Sequence, residues 1–269
     1  MLSSPSSRTL TALIVIAASW AATGLQAAEI TPRRQAHAHN DYVHERPLLD
    51  ALDQGFMSVE ADVILDDGEL LVAHSRDETT PDRTLRALYL DPLRQRIEKN
   101  GGFVYADKQP ITLLIDIKTD GEATFTAINQ LLGEYRDVFA WSEDGTLHPG
   151  PVVAIISGNR PIEMMTAASP RFAGIDGRLS DLDSDMAPDL MPLLSDNWTH
   201  YFSWRGKGDF PATERDKLKR IVEHAHERGR LIRFWATPDN PAMWRVLRDA
   251  GVDQINTDNL RGLSRFLAE

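Results

Sequence analysis

Apolar positions along this chain follow two rhythms. Short, nearly continuous apolar runs rich in β-branched residues read as buried strands. Longer segments with apolar residues three and four apart read as amphipathic helices. The strand-like runs are Gln35–His39, Met57–Leu65, Ile111–Ile117, Val152–Ile156, Phe172–Ile175, Thr199–Trp204, Leu231–Ala236 and Val252–Asn256. Glu69–Ala73, after the turn Asp66-Asp67-Gly68, extends the second of these. Helical spacing covers Arg46–Gln54, Asp82–Asn100 with a break at Pro92, Ala123–Arg136, Pro161–Ala168, Ala212–Arg228, Asn240–Ala250 and Leu260–Ala268. Ser142–Pro151 reads as a turn-rich excursion, and 180–198, rich in Asp and Pro, as a loop with a short helix. Strands alternate with helices, which predicts one α/β domain over 29–269, a (β/α)8 TIM barrel. No glycine-rich phosphate loop follows the first strand, which counts against a doubly wound open sheet.

Polar residues interrupt this pattern where a barrel would place its chemistry. In Met57–Leu65, Glu60 and Asp62 are two apart and share one face, while Val59, Ala61 and Val63 share the other. Adjacent carboxylates on one face repel and are costly to desolvate, so they call for a counter-cation. Their hard oxygens suit one divalent cation, Mg²⁺ or Ca²⁺. His37 and His39 stand in the same i, i+2 relation at the end of the first strand, and His74 closes the Glu69–Ala73 run. Lys118 shares a face with Asp116 and can pair with a phosphate oxygen or with a neighbouring acid. Arg160 and Arg178 follow later strands and are candidate phosphate contacts, while Trp204 and Trp235 are candidate walls of a substrate pocket. His224 and His226 sit amid Glu223, Glu227 and Arg228 and read as a solvated helix face.

The run HAHNDY followed by SVEADVILDDGELLVAH resembles the opening of the phosphatidylinositol phospholipase C-like phosphodiesterases. That superfamily includes glycerophosphodiester phosphodiesterases and sphingomyelinase D enzymes, and the branch most similar here is that of altered inheritance of mitochondria protein 6. The shared pattern is His on the first strand, Glu-x-Asp on the second, a turn, a second His, and an acid on the next strand, here Asp116. Similarity resumes at FWAT and GVDQINTD near the C-terminus. The resemblance implies a metal-dependent phosphoric diester hydrolase on a TIM barrel. It implies a cation held by Glu60, Asp62 and Asp116 with Asn40 beside it, and a His39/His74 acid–base pair. His37 competes for the role of His39, because its spacing to Asn40 matches the His-x-x-Asn of sphingomyelinase D. The chain departs from the glycerophosphodiesterase pattern, since no Arg-Gly follows the histidine and the Glu of the Glu-Asn-Thr element is missing.

Two other readings stay open. His37-x-His39 also looks like the metal pair of amidohydrolases or of polymerase-and-histidinol-phosphatase-type enzymes, but those need later-strand histidines, and His200 alone is available. A non-catalytic binding barrel is the third.

Composition narrows the setting. A formal charge of −11 over 269 residues disfavours an extended nucleic-acid surface. Residues 1–28 read as an export signal: Arg8, the apolar stretch Leu10–Ala22, then Leu25-Gln26-Ala27-Ala28. No cysteine is present, so disulfides and lipid attachment through Cys are excluded. The expectation is an exported protein, periplasmic or secreted, that acts on a small-molecule or lipid-headgroup phosphodiester without a protein partner.

Overall fold

The computed structural model describes Met1 and residues 30–269, so the segment read as an export signal lies, apart from Met1, outside the described residues. The strands in chain order are β1 (Arg33–Ala38), β2 (Phe56–Asp66), β3 (Glu69–Val72), β4 (Ile111–Ile117), β5 (Trp141–Glu143), β6 (Thr146–His148), β7 (Val152–Gly158), β8 (Ala173–Gly177), β9 (Leu193–Asn197), β10 (Leu231–Trp235) and β11 (Gln254–Thr257). The helices are α1 (Leu49–Asp53), α2 (Asp91–Lys99), α3 (Gly121–Gly133), α4 (Ile162–Ala167), α5 (Trp198–Tyr201), α6 (Ala212–Glu227), α7 (Pro241–Ala250) and α8 (Leu260–Phe266). Strands β1, β2, β4, β7, β8, β9, β10 and β11 pair in parallel around a ring, and β1 closes it by pairing with both β2 and β11. This is the expected (β/α)8 barrel. β3 lengthens β2 as an antiparallel arm, and β5–β6 form a separate hairpin where a turn-rich excursion was expected.

The barrel has two cores. Outward strand residues such as Ala36, Val59, Ala61, Leu113 and Ile115 pack under the helices. Leu114, Ile155 and Leu193 form a smaller apolar cluster of their own. Each buried Leu or Ile contributes roughly 1.5–3 kcal/mol relative to exposure. Local chemistry sets the helix starts: Asp120 accepts from Ala123 N (2.9 Å) ahead of α3, and Asn240 accepts from Ala242 N and Met243 N (both 3.1 Å) ahead of α7.

Three sequence expectations need correction. Pro92 does not break a helix; a π-helical turn, Arg86–Leu90, precedes it and Pro92 sits in the first turn of α2, where its missing N–H costs nothing. The segment Thr199–Trp204 is not a strand. The strand at this place is β9, and Asn197 then accepts from Thr199 N (2.9 Å) and starts α5. Trp198 fills the core against Phe202 and Phe234, which accounts for the apolar run. As a result Trp204 does not stand at a strand end. It is buried against Phe210, donates its indole N–H to Lys207 O (2.9 Å), and borders a groove between α6 and α7 on the outside of the barrel.

Candidate active site

Residues two apart on a strand share a face, so each barrel strand delivers a column of side chains to the lumen. β1 delivers His37, with His39 just past its end; β2 delivers Ser58, Glu60 and Asp62; β4 delivers Asp116; β10 delivers Arg233 and Trp235; β11 delivers Asn256. The lower part of this set is a closed network. His37 is fully buried, with Nδ1 2.7 Å from Ser58 Oγ and Nε2 3.0 Å from Glu60 Oε2. Arg233 donates Nη2 to the same Glu60 oxygen (2.6 Å) and Nε to Asn256 Oδ1 (2.8 Å). Burial and then the Arg233 charge push His37 down to about 4, so its ring is neutral near pH 7. Burial works to raise Glu60, but Arg233 and His37 prevail and hold it well below the usual carboxylate range. Both His37 nitrogens are engaged and the ring has no exposure, so it lies below the mouth rather than in it.

Above this network lies the mouth. Asp62 is fully buried, and its Oδ2 accepts from Tyr42 OH (2.9 Å) and Lys118 Nζ (3.0 Å) and pairs with His74 Nδ1 (2.8 Å). Its Oδ1 is buried without a hydrogen-bond partner. Lys118 also reaches Asp116 Oδ1 (3.2 Å), so it pairs with both acids. Burial lowers Lys118, but Asp116 and Asp62 outweigh it and its ammonium is favoured. Asp116 is pushed up to about 6 by burial, eased by Lys118 and reinforced by the charges of Asp62 and Glu60. Gly158, at φ 68 on the end of β7, leaves room for this carboxylate, since a Cβ there would collide with Asp116 Oδ1 and Ile117 O. On the other side, His39 Nδ1 lies 2.9 Å from Asp258 Oδ1, and the Asn40 amide lies 3.0 Å from the same nitrogen. Burial lowers His39, but the Asp258 hydrogen bond and the Glu60 charge prevail and raise it. Tyr42 ties the two halves together, because its hydroxyl lies 3.0 Å from Asn40 Oδ1 as well as 2.9 Å from Asp62.

Oxygens of Glu60, Asp62 and Asp116 lie within 4.8 Å of one another. Three hard donors, a buried unpartnered Asp62 Oδ1 and an acid raised by burial and then by its neighbours' charge fit a divalent cation. Among the described residues no histidine belongs to a cluster of this kind.

The mouth therefore joins His39, Asn40, Glu60, Asp62, His74, Asp116 and Lys118. Trp235, half-buried at the end of β10, stands beside His200 with ring centroids 6.5 Å apart. Arg160 and Arg178 belong to a neighbouring cluster. Arg178 Nη1 pairs with Asp176 Oδ2 (3.0 Å), Arg160 Nη1 donates to Asp176 O, and Ser157 and Ser195 donate to Asp176 Oδ2 (2.7 and 2.6 Å). Sequence reasoning missed Arg233, Tyr42 and the role of Asp258. Arg233 was detectable as a charge two residues before Trp235 on an otherwise apolar strand.

A closed parallel barrel with acids and histidines gathered at the C-terminal ends of its strands is the phospholipase C-like phosphodiesterase type of TIM barrel. Residues 26–173 match the family described as the AIM6-like phosphodiesterase domain, and residues 232–261 match the glycerophosphoryl diester phosphodiesterase family. The chain belongs to the AIM6-like phosphodiesterase family. It is 29% identical over 264 residues to the altered inheritance of mitochondria protein 6 homolog of Arthroderma benhamiae, covering 86% of this chain and 82% of that one. It is 31% identical over 268 residues to altered inheritance of mitochondria protein 6 of Eremothecium gossypii, covering 86% and 69%. In fold it is similar to a glycerophosphodiester phosphodiesterase from Agrobacterium tumefaciens (TM-score 0.53, 18% identity, 89% of this chain and 100% of that one).

Proposed function

We propose that this chain hydrolyses phosphodiesters with His39 and His74 as an acid–base pair and one divalent cation, Mg²⁺ or Ca²⁺, held by Glu60, Asp62 and Asp116 with Asn40 beside them. The observation that carries this is the matched pair of histidines flanking the carboxylate cluster. Each is held through Nδ1 by an acid, Asp258 for His39 and Asp62 for His74, and neither Nε2 is hydrogen-bonded to a described residue. That arrangement orients two imidazoles toward a common substrate. One takes the proton of the attacking hydroxyl or water, and the other returns a proton to the leaving alkoxide oxygen as the P–O bond breaks. When bound, the cation supplies Lewis-acid polarisation of a non-bridging phosphate oxygen. Lys118 holds Asp62 and Asp116 in place and faces the same mouth. A cleft of about 410 Å³ lined by Asn40, Tyr42, Val72, His74 and Arg83 adjoins it and offers room for the alcohol portion of a substrate. Trp235 is a candidate wall, while Arg160 and Arg178 contact substrate only if they turn from Asp176.

The substrate class is a small-molecule or lipid-headgroup phosphodiester, and the pattern at residues 1–28 supports export to the periplasm or beyond. The test is hydrolysis of bis(p-nitrophenyl) phosphate with Mg²⁺, with Ca²⁺ and with EDTA, beside the His39→Ala/His74→Ala variant. Cation-dependent turnover that disappears in the variant is expected. Turnover that resists EDTA, or that survives loss of both histidines, overturns the reading.

A further inference from the structure

The donors around the three carboxylates are distributed in a way that bears on which cation they take. Arg233 and His37 both engage Glu60 through one oxygen, Oε2, at 2.6 and 3.0 Å. Tyr42, His74 and Lys118 all engage Asp62 through one oxygen, Oδ2, and leave buried Oδ1 with no partner. Lys118 engages Asp116 through Oδ1. Each acid thus has one oxygen committed to protein donors and one remaining. We infer that these donors restrict the three carboxylates to one oxygen each, with Arg233 imposing the restriction on Glu60, and that the site thereby selects Mg²⁺ over Ca²⁺.

The physical reason lies in how the two ions are coordinated. Ca²⁺ takes six to eight oxygens and readily accepts both oxygens of one carboxylate, whereas Mg²⁺ demands an octahedron of single oxygens and keeps several waters. Three one-oxygen acids leave about half an octahedron for water and substrate, which suits Mg²⁺. Arg233 is well placed to enforce this. Its guanidinium is buried in the lumen, and the second bond, to Asn256 on β11, fixes the fork so that Glu60 cannot rotate Oε2 toward an ion without leaving a buried cation unpaired. Arg233 is therefore a positioning residue acting through Glu60.

The inference rests on the one-cation reading above, and the test separates the two. Full-length protein stripped with EDTA is titrated calorimetrically with MgCl₂ and, separately, with CaCl₂. The wild type is expected to bind Mg²⁺ more tightly. Arg233→Met removes the charged donor from Glu60 Oε2, leaving only His37 there, and is expected to move the Mg²⁺:Ca²⁺ affinity ratio about tenfold toward Ca²⁺, a size typical of changes to groups that orient metal ligands. Arg233→Lys, which keeps a cation for Oε2, is expected to hold most of the wild-type ratio. Loss of folding would weaken both ions together, so the ratio reports selectivity. Should Arg233→Met fail to fold, Lys118→Met, at the partly exposed mouth, frees Asp116 Oδ1 and is expected to shift the ratio in the same direction. A wild type that prefers Ca²⁺, or variants that keep the wild-type ratio, overturns the selectivity inference alone. A wild type that binds neither ion overturns the one-cation reading and this inference with it.

Discussion

His39 and His74 each lean on an acid, but the two acids differ. Asp62 is buried and shared among three donors, whereas Asp258 is more than half exposed and reaches His39 from the far end of the chain. On the proposed mechanism, losing His39 removes a proton-transfer group, worth about 10²–10⁴ in rate. Losing Asp258 leaves the imidazole but loosens its orientation, so Asp258→Ala is expected to lower kcat about tenfold, well short of His39→Ala, with KM little changed. Equal losses in the two variants would assign Asp258 a direct part in the chemistry. A third acid, Asp41, bears on stability instead. Asp41 is fully buried, and burial pushes it up to about 7, eased by hydrogen bonds from Leu48 N and Tyr89 and reinforced by Asp50. A carboxyl raised on folding binds its proton more tightly in the native state. It stabilises the fold fully below the unfolded value of 3.8, and that contribution is lost as pH rises toward 7. Asp41→Asn, neutral throughout, is expected to show a flatter fall in stability between about pH 4 and pH 7, measured by urea denaturation at a series of pH values. Parallel curves for the two proteins would mean that Asp41 is ionised in the native state.

At the scale of elements, legibility followed the local rhythm. β2 and β4 were readable because their outward faces are apolar without interruption; the period-two polar residues of β2 also located Glu60 and Asp62, while Asp116 followed from the family pattern. β9 was not readable. Its Leu-Leu-Ser-Asp-Asn sequence spends three of its five residues on polar groups, and the aromatic run just after it mimicked a strand while forming α5 and the loop beyond. Trp204 was misplaced for the same reason. Strand ends carry their own constraints. Gly158 has φ 68, and a side chain there would press on Asp116 and the Ile117 carbonyl. Gly158→Ala is expected to cost about 1–2 kcal/mol for the left-handed conformation alone, and to weaken cation binding because Asp116 must shift. Calorimetric titration would check the second effect, and a variant that is destabilised but binds the cation as the wild type does would show that Asp116 has room to relax.

The whole molecule explains what period alone could not supply. The site straddles the seam where the barrel closes: β1 pairs with β2 on one side and β11 on the other, His39 meets Asp258 across 219 residues, and Glu60 meets Arg233 across 173. Periodicity reports which face a residue occupies, not which distant strand supplies its partner, so the partners of Arg233 and Asp258 emerged only with closure. The same seam gathers the carboxylates of Glu60, Asp62 and Asp116, whose mutual repulsion the fold must bear and which Lys118 and Arg233 relieve in part. A cation held by the native acids and released on unfolding stabilises the whole barrel by linkage. At about a hundred times its dissociation constant that is ~2.7 kcal/mol, and in a chain of this size such a gain raises Tm by roughly 5–10 °C. The expected result in a thermal melt is a rise of this order on adding Mg²⁺ to EDTA-treated protein, and none in Glu60→Gln/Asp62→Asn, which keeps the side-chain shapes but removes two charges. That variant also lacks the repulsion, so its midpoint without cation should fall less than the loss of its ion pairs would suggest. A Mg²⁺ effect of equal size in both proteins would place the ion elsewhere on this acidic chain and remove the carboxylate cluster from the account of the site.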